Sequence, residues 1–423
     1  MSNRPITDIA IINPPLTRTP RAGELISFVS MSGISEGGGV TESNDLPFNA
    51  VSSGFTRFQN GDVLFAKITP CMENGKGALA ENLTGGVGCG STEFHVLRAT
   101  QAGIPAYLYQ LMQWKLTRQT AEIFMSGSAG QQRVQSDFFR RHKVYAPALP
   151  IQQKIATILT GIDTAIEKTE VLIAKYQQIK AGLMHDLFTR GVLPNGQLRP
   201  PREQAPELYQ ETAIGWIPKE WQYGLLDKLA LRGSGHTPNK NFPEYWNGGI
   251  KWVSLADSHR LDQLYITDTE LQISHKGIQN SSAVLHPPGI VVLSRDAGVG
   301  KSAITTEPMA VSQHFLCWKC DQKMDNHFLY YWLQFNKRTF ENIAMGSTIL
   351  TIGLPYFKKM KIACPADLDE QQNIAAKMKA SDASIFSLQD ELSKLKQQKL
   401  GLMHDLLTGK VSASTCEAEV SNA

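Results

Sequence analysis

The chain has 423 residues, of which 42% are hydrophobic and 19% charged, and a formal net charge of +3. That length exceeds what one hydrophobic core usually supports, so two or more folded units are expected. The mixture excludes disordered and collagen-like chains. No apolar run is long enough to span a bilayer or to form the core of a secretory signal, which predicts a soluble cytoplasmic protein.

Cysteines at 71, 89, 317, 320, 364 and 416 are too scattered for a disulfide framework and suit free thiols in a reducing compartment. Net charge is +2 over residues 1–147, +1 over 148–190, +3 over 191–365 and −3 over 366–423. Such modest excess permits nucleic-acid binding without demanding it.

Residues 1–148 carry short β-type runs such as Asp62–Ile68, punctuated by Gly, Pro and Asn, and a helical stretch at Ala106–Arg118. A long helix follows within 149–190, with Pro150 suited to its first turn. After a linker at 191–215, residues 216–365 repeat the first texture, with a β-type run at Gly289–Ser294 and a helical stretch at Asn326–Phe340. A second long helix occupies 366–408, opened by what reads as a capping box, Asp367 with Glu370, and residues 409–423 form a tail. Both β-rich blocks read as compact α+β units.

The helices are copies of each other. Lys180-Ala-Gly-Leu-Met-His-Asp-Leu-Phe-Thr189 recurs as Lys399-Leu-Gly-Leu-Met-His-Asp-Leu-Leu-Thr408, an offset of 219 that also aligns Gln152-Gln153 with Gln371-Gln372. Such a period signals duplication of a whole block-plus-helix unit. Along the second helix Ile374, Met378, Ser381, Ile385, Leu388, Leu392, Leu395, Lys399, Leu402 and Leu406 step by four and three. Their counterparts are Ile155, Leu159, Ile162, Ile166, Thr169, Ile173, Tyr176, Lys180, Leu183 and Leu187. A seam of period 3.5 is buried only against another helix, so the two are expected to pair as an antiparallel coiled coil. Lys180 and Lys399, at equivalent seam positions, either fix register or snorkel outward. Residues 151–189 would span roughly 58 Å as a helix.

The blocks correspond at landmarks only. Ala66-Lys67 matches Ser294-Arg295, Gly75-Lys76 matches Gly300-Lys301, and Ser91-Thr-Glu-Phe94 matches Ser312-Gln-His-Phe315. Met125-Ser-Gly127-Ser128 matches Met345-Gly346-Ser347-Thr348, and Phe138-Phe-Arg-Arg-His-Lys143 matches Tyr356-Phe-Lys-Lys-Met-Lys361. One scaffold with interchangeable polar loops is what reading two different base strings requires. Arg and Lys suit guanine edges, Asn and Gln suit adenine, and Ser or Thr suit phosphate or either base. The candidates for DNA contact are Lys67, Thr69, Asn74, Lys76, Thr92, Gln131, Gln132 and Arg133 in the first block. In the second they are Lys251, Arg295, Lys301, Gln313, His314 and Thr348.

Four motifs imitate catalysis. Gly298-Val-Gly-Lys-Ser302 lacks the first glycine of a phosphate loop, since Arg295 holds that place. Asn13-Pro-Pro-Leu16 resembles an amino-methyltransferase motif without its aromatic ring, and a proline-rich turn accounts for it better. Cys317-Trp-Lys-Cys320 has no second pair at zinc spacing, so no metal site is expected. His185-Asp186 and His404-Asp405 sit near the helix ends, where packing or partner docking is the expected role.

Over nearly its whole length the chain resembles specificity subunits of type I restriction–modification systems. The resemblance rests on Gly215-Trp-Ile-Pro-Lys-Glu-Trp221, Leu368-Asp-Glu-Gln371-Gln-Asn-Ile374 and Gly401-Leu-Met-His-Asp-Leu-Leu-Thr-Gly-Lys-Val411. The first block departs from it: the Ile-Pro-x-x-Trp opening is missing, Ile151 replaces the Glu of the helix-start motif, and Arg190 follows Thr189 in place of Gly. The resemblance implies an α+β fold with pseudo-twofold symmetry, in which two target-recognition domains are separated by the antiparallel helices. Each domain would read one half of a bipartite asymmetric site on double-stranded DNA, with the rod holding them apart by about one duplex turn, roughly 34 Å. It also implies a subunit without its own active site or cofactor, partnered by two adenine methyltransferase and two restriction–translocase subunits. S-adenosylmethionine, ATP and Mg would then sit on those partners.

Overall fold

A computed structural model describes residues 3–128, 130–345 and 350–413. The chain divides into two compact units, Met1–Val171 with Gln389–Ala423, and Leu172–Leu388. Each long helix therefore contributes one half to each unit. No helix among the described residues is long and apolar enough to cross a membrane.

In the first unit an antiparallel sheet is ordered Ala10–Ile12, Phe94–Ala99, Asp62–Ala66, Gly77–Leu79. A second sheet of four strands runs Asn44–Pro47, Leu25–Val29, Val87–Gly90, Thr56–Gln59. The second unit repeats the first of these as Leu231–Ser234, Phe315–Lys319, Val291–Ser294, Ser302–Thr305, with Tyr265–Ile266 added at the edge. Its other sheet has three strands, Leu271–Ile273, Trp246–Val253 and Ala310–Val311. The central strands Asp62–Ala66 and Val291–Ser294 are buried throughout, which explains the apolar runs 63–66 and 291–293 within them.

Both stretches expected as single helices are broken in two, at corresponding places. The first becomes Pro105–Gln113 and Lys115–Ile123, because Trp114 takes an extended conformation (φ −64°, ψ 127°). The second becomes Asn326–Phe335 and Lys337–Ile343, interrupted at Asn336 (φ −91°, ψ 7°). The sequence holds no Pro or Gly at either break, so periodicity alone runs straight through them.

The long helices run Leu149–Thr189 and Leu368–Leu407. In the first unit Ile155, Ala156 and Leu159 share a core with Met403, Leu406 and Leu407, and with Leu108 and Leu111 of the sheet domain. In the second unit Leu187 and Phe188 share one with Ile374, Ala375, Met378, Phe328 and Leu329. Within each unit the pairing is antiparallel. Seam residues backed by a sheet domain are buried: Ile155, Leu159, Ile162, Leu187, Ile374, Met378, Ile385 and Leu406. Ile166, Ile173, Leu183, Leu388, Leu392, Leu395 and Leu402 are half-buried, and Tyr176, expected in the seam, is 38% exposed. Two helices alone shield a narrow stripe, and a tyrosine keeps its hydroxyl in water there.

Polar contacts repeat with the same offset. Gln152 donates to the carbonyls of Ala102 and Pro147 and accepts from the Ile104 amide. Gln371 does the same with Lys323, Pro365 and the Asp325 amide. Lys399 pairs with Asp163 at 2.6 Å, and Asp163 also accepts from Gln110 at 2.8 Å. Likewise Lys180 pairs with Asp382, which accepts from the Tyr331 hydroxyl at 2.8 Å. The seam lysines thus do not snorkel; each is bound by a carboxylate of the facing helix.

The expected capping box forms only in part. The Asp367 carboxylate accepts from the Asp369 amide at 3.1 Å, whereas Glu370 turns away from it. Its oxygens accept from the Arg199 guanidinium (2.9 Å at Nη2), Trp221 Nε1 (3.0 Å) and the Val192 amide (3.1 Å), all on the segment entering the second sheet domain.

A double-mutant cycle on Asp163→Ala and Lys399→Ala, followed by thermal or urea unfolding, should return a coupling of about 1 kcal/mol. The cycle on Lys180 and Asp382 should match it.

Candidate nucleic-acid interface

One main-chain ladder, built twice, presents most of the candidate residues. In the first unit the strand Asp62–Ala66 continues into Lys67, whose amide donates to the Glu93 carbonyl (2.9 Å) and whose carbonyl accepts from Val134 (2.8 Å). Two residues on, the Thr69 amide donates to the Gln132 carbonyl (3.0 Å), and Ile68 bridges Arg133. In the second unit the Arg295 amide donates to His314 (3.0 Å) and its carbonyl accepts from Ile352 (2.9 Å). Asp296 bridges Thr351, and the Ala297 amide donates to Leu350 (3.2 Å).

The side chains on this ladder are exchanged between units. The first carries Glu93 and Arg133, paired through Arg133 Nη2 at 2.9 Å and Nε at 3.0 Å. That hydrogen bonding holds the Glu93 carboxyl below its usual range. The second carries His314, whose Nδ1 lies 2.8 Å from the Asp296 carboxylate, and Thr351, whose hydroxyl donates to the same carboxylate. Arg295 Nε lies 3.5 Å from Asp296. Thr92, Gln131, Gln132 and Gln313 are exposed beside these pairs, and Gln313 accepts from the Thr237 hydroxyl.

The remaining candidates are engaged within the protein. Asn74 is exposed and donates to Glu36 (2.8 Å), and the Thr69 hydroxyl donates to Glu73 (2.7 Å). The ammonium groups of Lys76 and Lys301 donate to the carbonyls of Met31 and Ser258, both at 2.9 Å. These two lysines strap their Gly–Lys turns to the rest of each domain. Lys251 stands apart on the strand Trp246–Val253, bound by Glu307, Asp268 (3.6 Å) and the Thr267 carbonyl (2.6 Å). Thr348 lies outside the described residues. Sequence reasoning passed over Glu93, Asp296 and Thr351. The two acids lie within or beside the aligned landmarks, but only basic, amide and hydroxyl side chains were counted as base readers.

A doubled domain with exchanged side chains is matched by comparison with known proteins. The sequence profile of the type I restriction modification DNA specificity domain fits residues 6–175 and 218–397. The chain belongs to this family. Its two specificity domains coincide with the two copies of the ladder. The MjaIX specificity subunit of Methanocaldococcus jannaschii is 30% identical over 171 residues, 40% of this chain and 39% of that protein. The EcoAI specificity subunit of Escherichia coli is 37% identical over 168 residues, 39% of this chain and 28% of that protein. The matched segments thus span well under half of those relatives. The type I system S subunit of M. genitalium shares the fold, with a TM-score of 0.57 at 14% identity over 96% of each chain.

Within the specificity domains the catalytic look-alikes have structural employment. Asn13 accepts from the Val96 amide (2.9 Å) and lies 3.2 Å from His95 Nδ1, so its amide fixes the Pro14–Pro15 turn against the sheet. Lys301, the lysine of the phosphate-loop look-alike, is the strap to Ser258. His185 is exposed, 3.8 Å from Asp186. Cys317 is buried beside His286, 3.5 Å from its Nε2.

Burial pushes the Cys317 and Cys364 thiols up to about 12, and Cys320 higher still, where Asp325 and Asp321 add to the effect. At pH 8 about one Cys317 or Cys364 side chain in ten thousand is thiolate. Alkylation of the folded protein at that pH should therefore spare Cys317, Cys320 and Cys364 and, among the described cysteines, mark the half-buried Cys71 first. Rapid labelling of Cys317 and Cys320, or stoichiometric zinc uptake by them, would contradict this account.

Proposed function

We propose that this chain is the non-catalytic DNA sequence-recognition subunit of a cytoplasmic type I restriction–modification complex. Each specificity domain reads one half of a bipartite, asymmetric site on double-stranded DNA. The paired long helices set the unread gap and dock two methyltransferase subunits. Two restriction–translocase subunits complete the assembly. Adenine-N6 methylation and ATP-dependent cleavage belong to those partners, along with S-adenosylmethionine, ATP and Mg.

The observation that carries this reading is the ladder built twice with its side chains exchanged. A fixed backbone delivers Glu93 and Arg133 in one domain, and Asp296, His314 and Thr351 in the other. Guanidinium groups suit guanine, carboxylates accept from cytosine, and the exposed glutamines 131, 132 and 313 suit adenine. Holding Arg133 with Glu93 before DNA arrives limits its rotamers, so less side-chain entropy is lost on contact. An enzymatic rival, a methyltransferase or nucleotide hydrolase in this chain itself, predicts stoichiometric binding of S-adenosylmethionine or turnover of ATP by the purified subunit. The present reading predicts neither.

Methylome sequencing of a host carrying the chain and its methyltransferase should return a two-part motif. Replacing residues 1–148 with the equivalent segment of a relative should change one half only. Inserting one or two helical turns between 160 and 175 should lengthen the gap and leave both halves intact. A first-domain exchange that rewrites both halves would refute the modular reading.

A further inference from the structure

Behind each Gly–Lys turn lies a cation, Arg118 in one domain and Lys337 in the other. Each stands in the first turn of the helix that follows the break, Lys115–Ile123 in one domain and Lys337–Ile343 in the other.

Arg118 is 4% exposed. Its guanidinium donates to the Met72 carbonyl (2.7 Å), to the Lys76 carbonyl (3.5 Å) and to Gln113 Oε1 (3.2 Å), and lies 4.9 Å from the centre of the Phe65 ring. Among the described residues no carboxylate pairs with it, and burial pulls its pKa down to about 10. A cation buried on carbonyl dipoles alone is an expensive way to hold a loop. What the planar fork supplies in return is reach to both ends of one short segment, Met72 to Lys76. That segment carries Asn74 at its exposed crest, turns through Gly75 (φ +89°), and is strapped from its far end by Lys76 to Met31.

Lys337 does the corresponding work through a carboxylate. Its methylene stem lies so close to Gly300 (φ +86°) that a Cβ there would sit 3.0 Å from Lys337 Cγ. Its ammonium pairs with Asp262, which also accepts from Gln334 (3.0 Å) and from the Ser302 amide (3.3 Å), just past Lys301. The two domains share neither the side chain nor the hydrogen-bonding scheme. What they share is a buried-side cation bracing the turn that adjoins the exchanged ladder.

We propose that Arg118 and Lys337 are positioning residues that set base discrimination, each for the half-site of its own domain, by bracing the Gly75–Lys76 and Gly300–Lys301 turns. This rests on the functional reading above. Discrimination between bases depends on donors held to within about half an ångström, and a loop freed from its brace contacts cognate and non-cognate bases more nearly alike.

The test uses the complex of the chain with its methyltransferase. Methylation rates are compared for the cognate site and for sites with one base changed in either half. Arg118→Met should lower the cognate-to-variant ratio for one half-site by about tenfold or more and leave the other half-site's ratio unchanged. Arg118→Lys should lower it less, and Lys337→Met should do the converse. A purely structural role scales every rate with the amount of folded complex and leaves all ratios intact. Intact ratios in active variants, or equal loosening of both halves, would overturn the proposal. Should Arg118→Met give no soluble complex, Lys337→Met decides, because its side chain is 27% exposed and its removal is milder. A wild-type complex with no two-part selectivity would overturn the functional reading itself, a result distinct from intact ratios in the variants.

Discussion

Register between the long helices is the constraint on which everything else depends, and a Lys–Asp pair that recurs in both units holds it, with Lys396–Glu170 added in the first. An apolar seam of period 3.5 tolerates sliding by a heptad, because leucine packs against leucine at either setting. A lysine opposite an aspartate does not, since a slip leaves both charges half-buried and unpaired. Lys399 with Asp163, and Lys180 with Asp382, supply that restriction in each unit. The same carboxylates accept from Gln110 and Tyr331, so the residues that set helix register also fix each sheet domain against its helices. The helix pair contributes the same Lys–Asp chemistry both times, whereas the domains contribute an amide in one case and a phenol in the other. A constant socket that accepts different plugs is what allows a domain to diverge without disturbing the rod.

The long helices were legible in the sequence because their signal is local and repeated. The 4,3 spacing, the absence of proline and the 219-residue offset located them to within a few residues of Leu149–Thr189 and Leu368–Leu407. Periodicity read less well at their flanks. Met403, Leu407 and Phe188 are buried outside the seam because a sheet domain covers a second face of each helix, and a heptad pattern carries no trace of that second partner. The helix break at Trp114 was illegible for a related reason: no breaker residue marks it and tertiary packing bends the chain there, whereas Asn336 is a residue type that ends helices.

The interface was legible as landmarks and illegible as chemistry. Lys67, Arg295 and His314 came from aligned positions and Arg133 from its polar chemistry nearby, and they do gather on one ladder in each domain. Lys76 and Lys301 came from the same alignment, yet their ammonium groups are spent on main-chain carbonyls. Sequence distinguishes a basic residue from an apolar one, but the direction of a lysine depends on which carbonyl lies within reach. Here that carbonyl belongs to another loop, at residues 31 and 258, far away in the chain. The acids left no such signal: Glu93 and Asp296 bind Arg133 and His314, side chains brought beside them only by the fold.

The entry to the second sheet domain rests on a single polar cluster. In the second half the chain leaves the first long helix, crosses the start of the second and enters its sheet domain, and one carboxylate holds that crossing. Glu370 accepts from Arg199, Trp221 and Val192 while Arg199 is 3% exposed, so each partner is viable only in the presence of the others. In the first half Asn3–Pro5 pairs with Lys143–Tyr145 just ahead of the helix start. At the counterpart of Glu370 stands Ile151, which packs against the apolar core of the first unit instead of holding a polar cluster. A polar trio is kept or lost as a set, because any member left behind alone carries a desolvation cost with nothing to offset it.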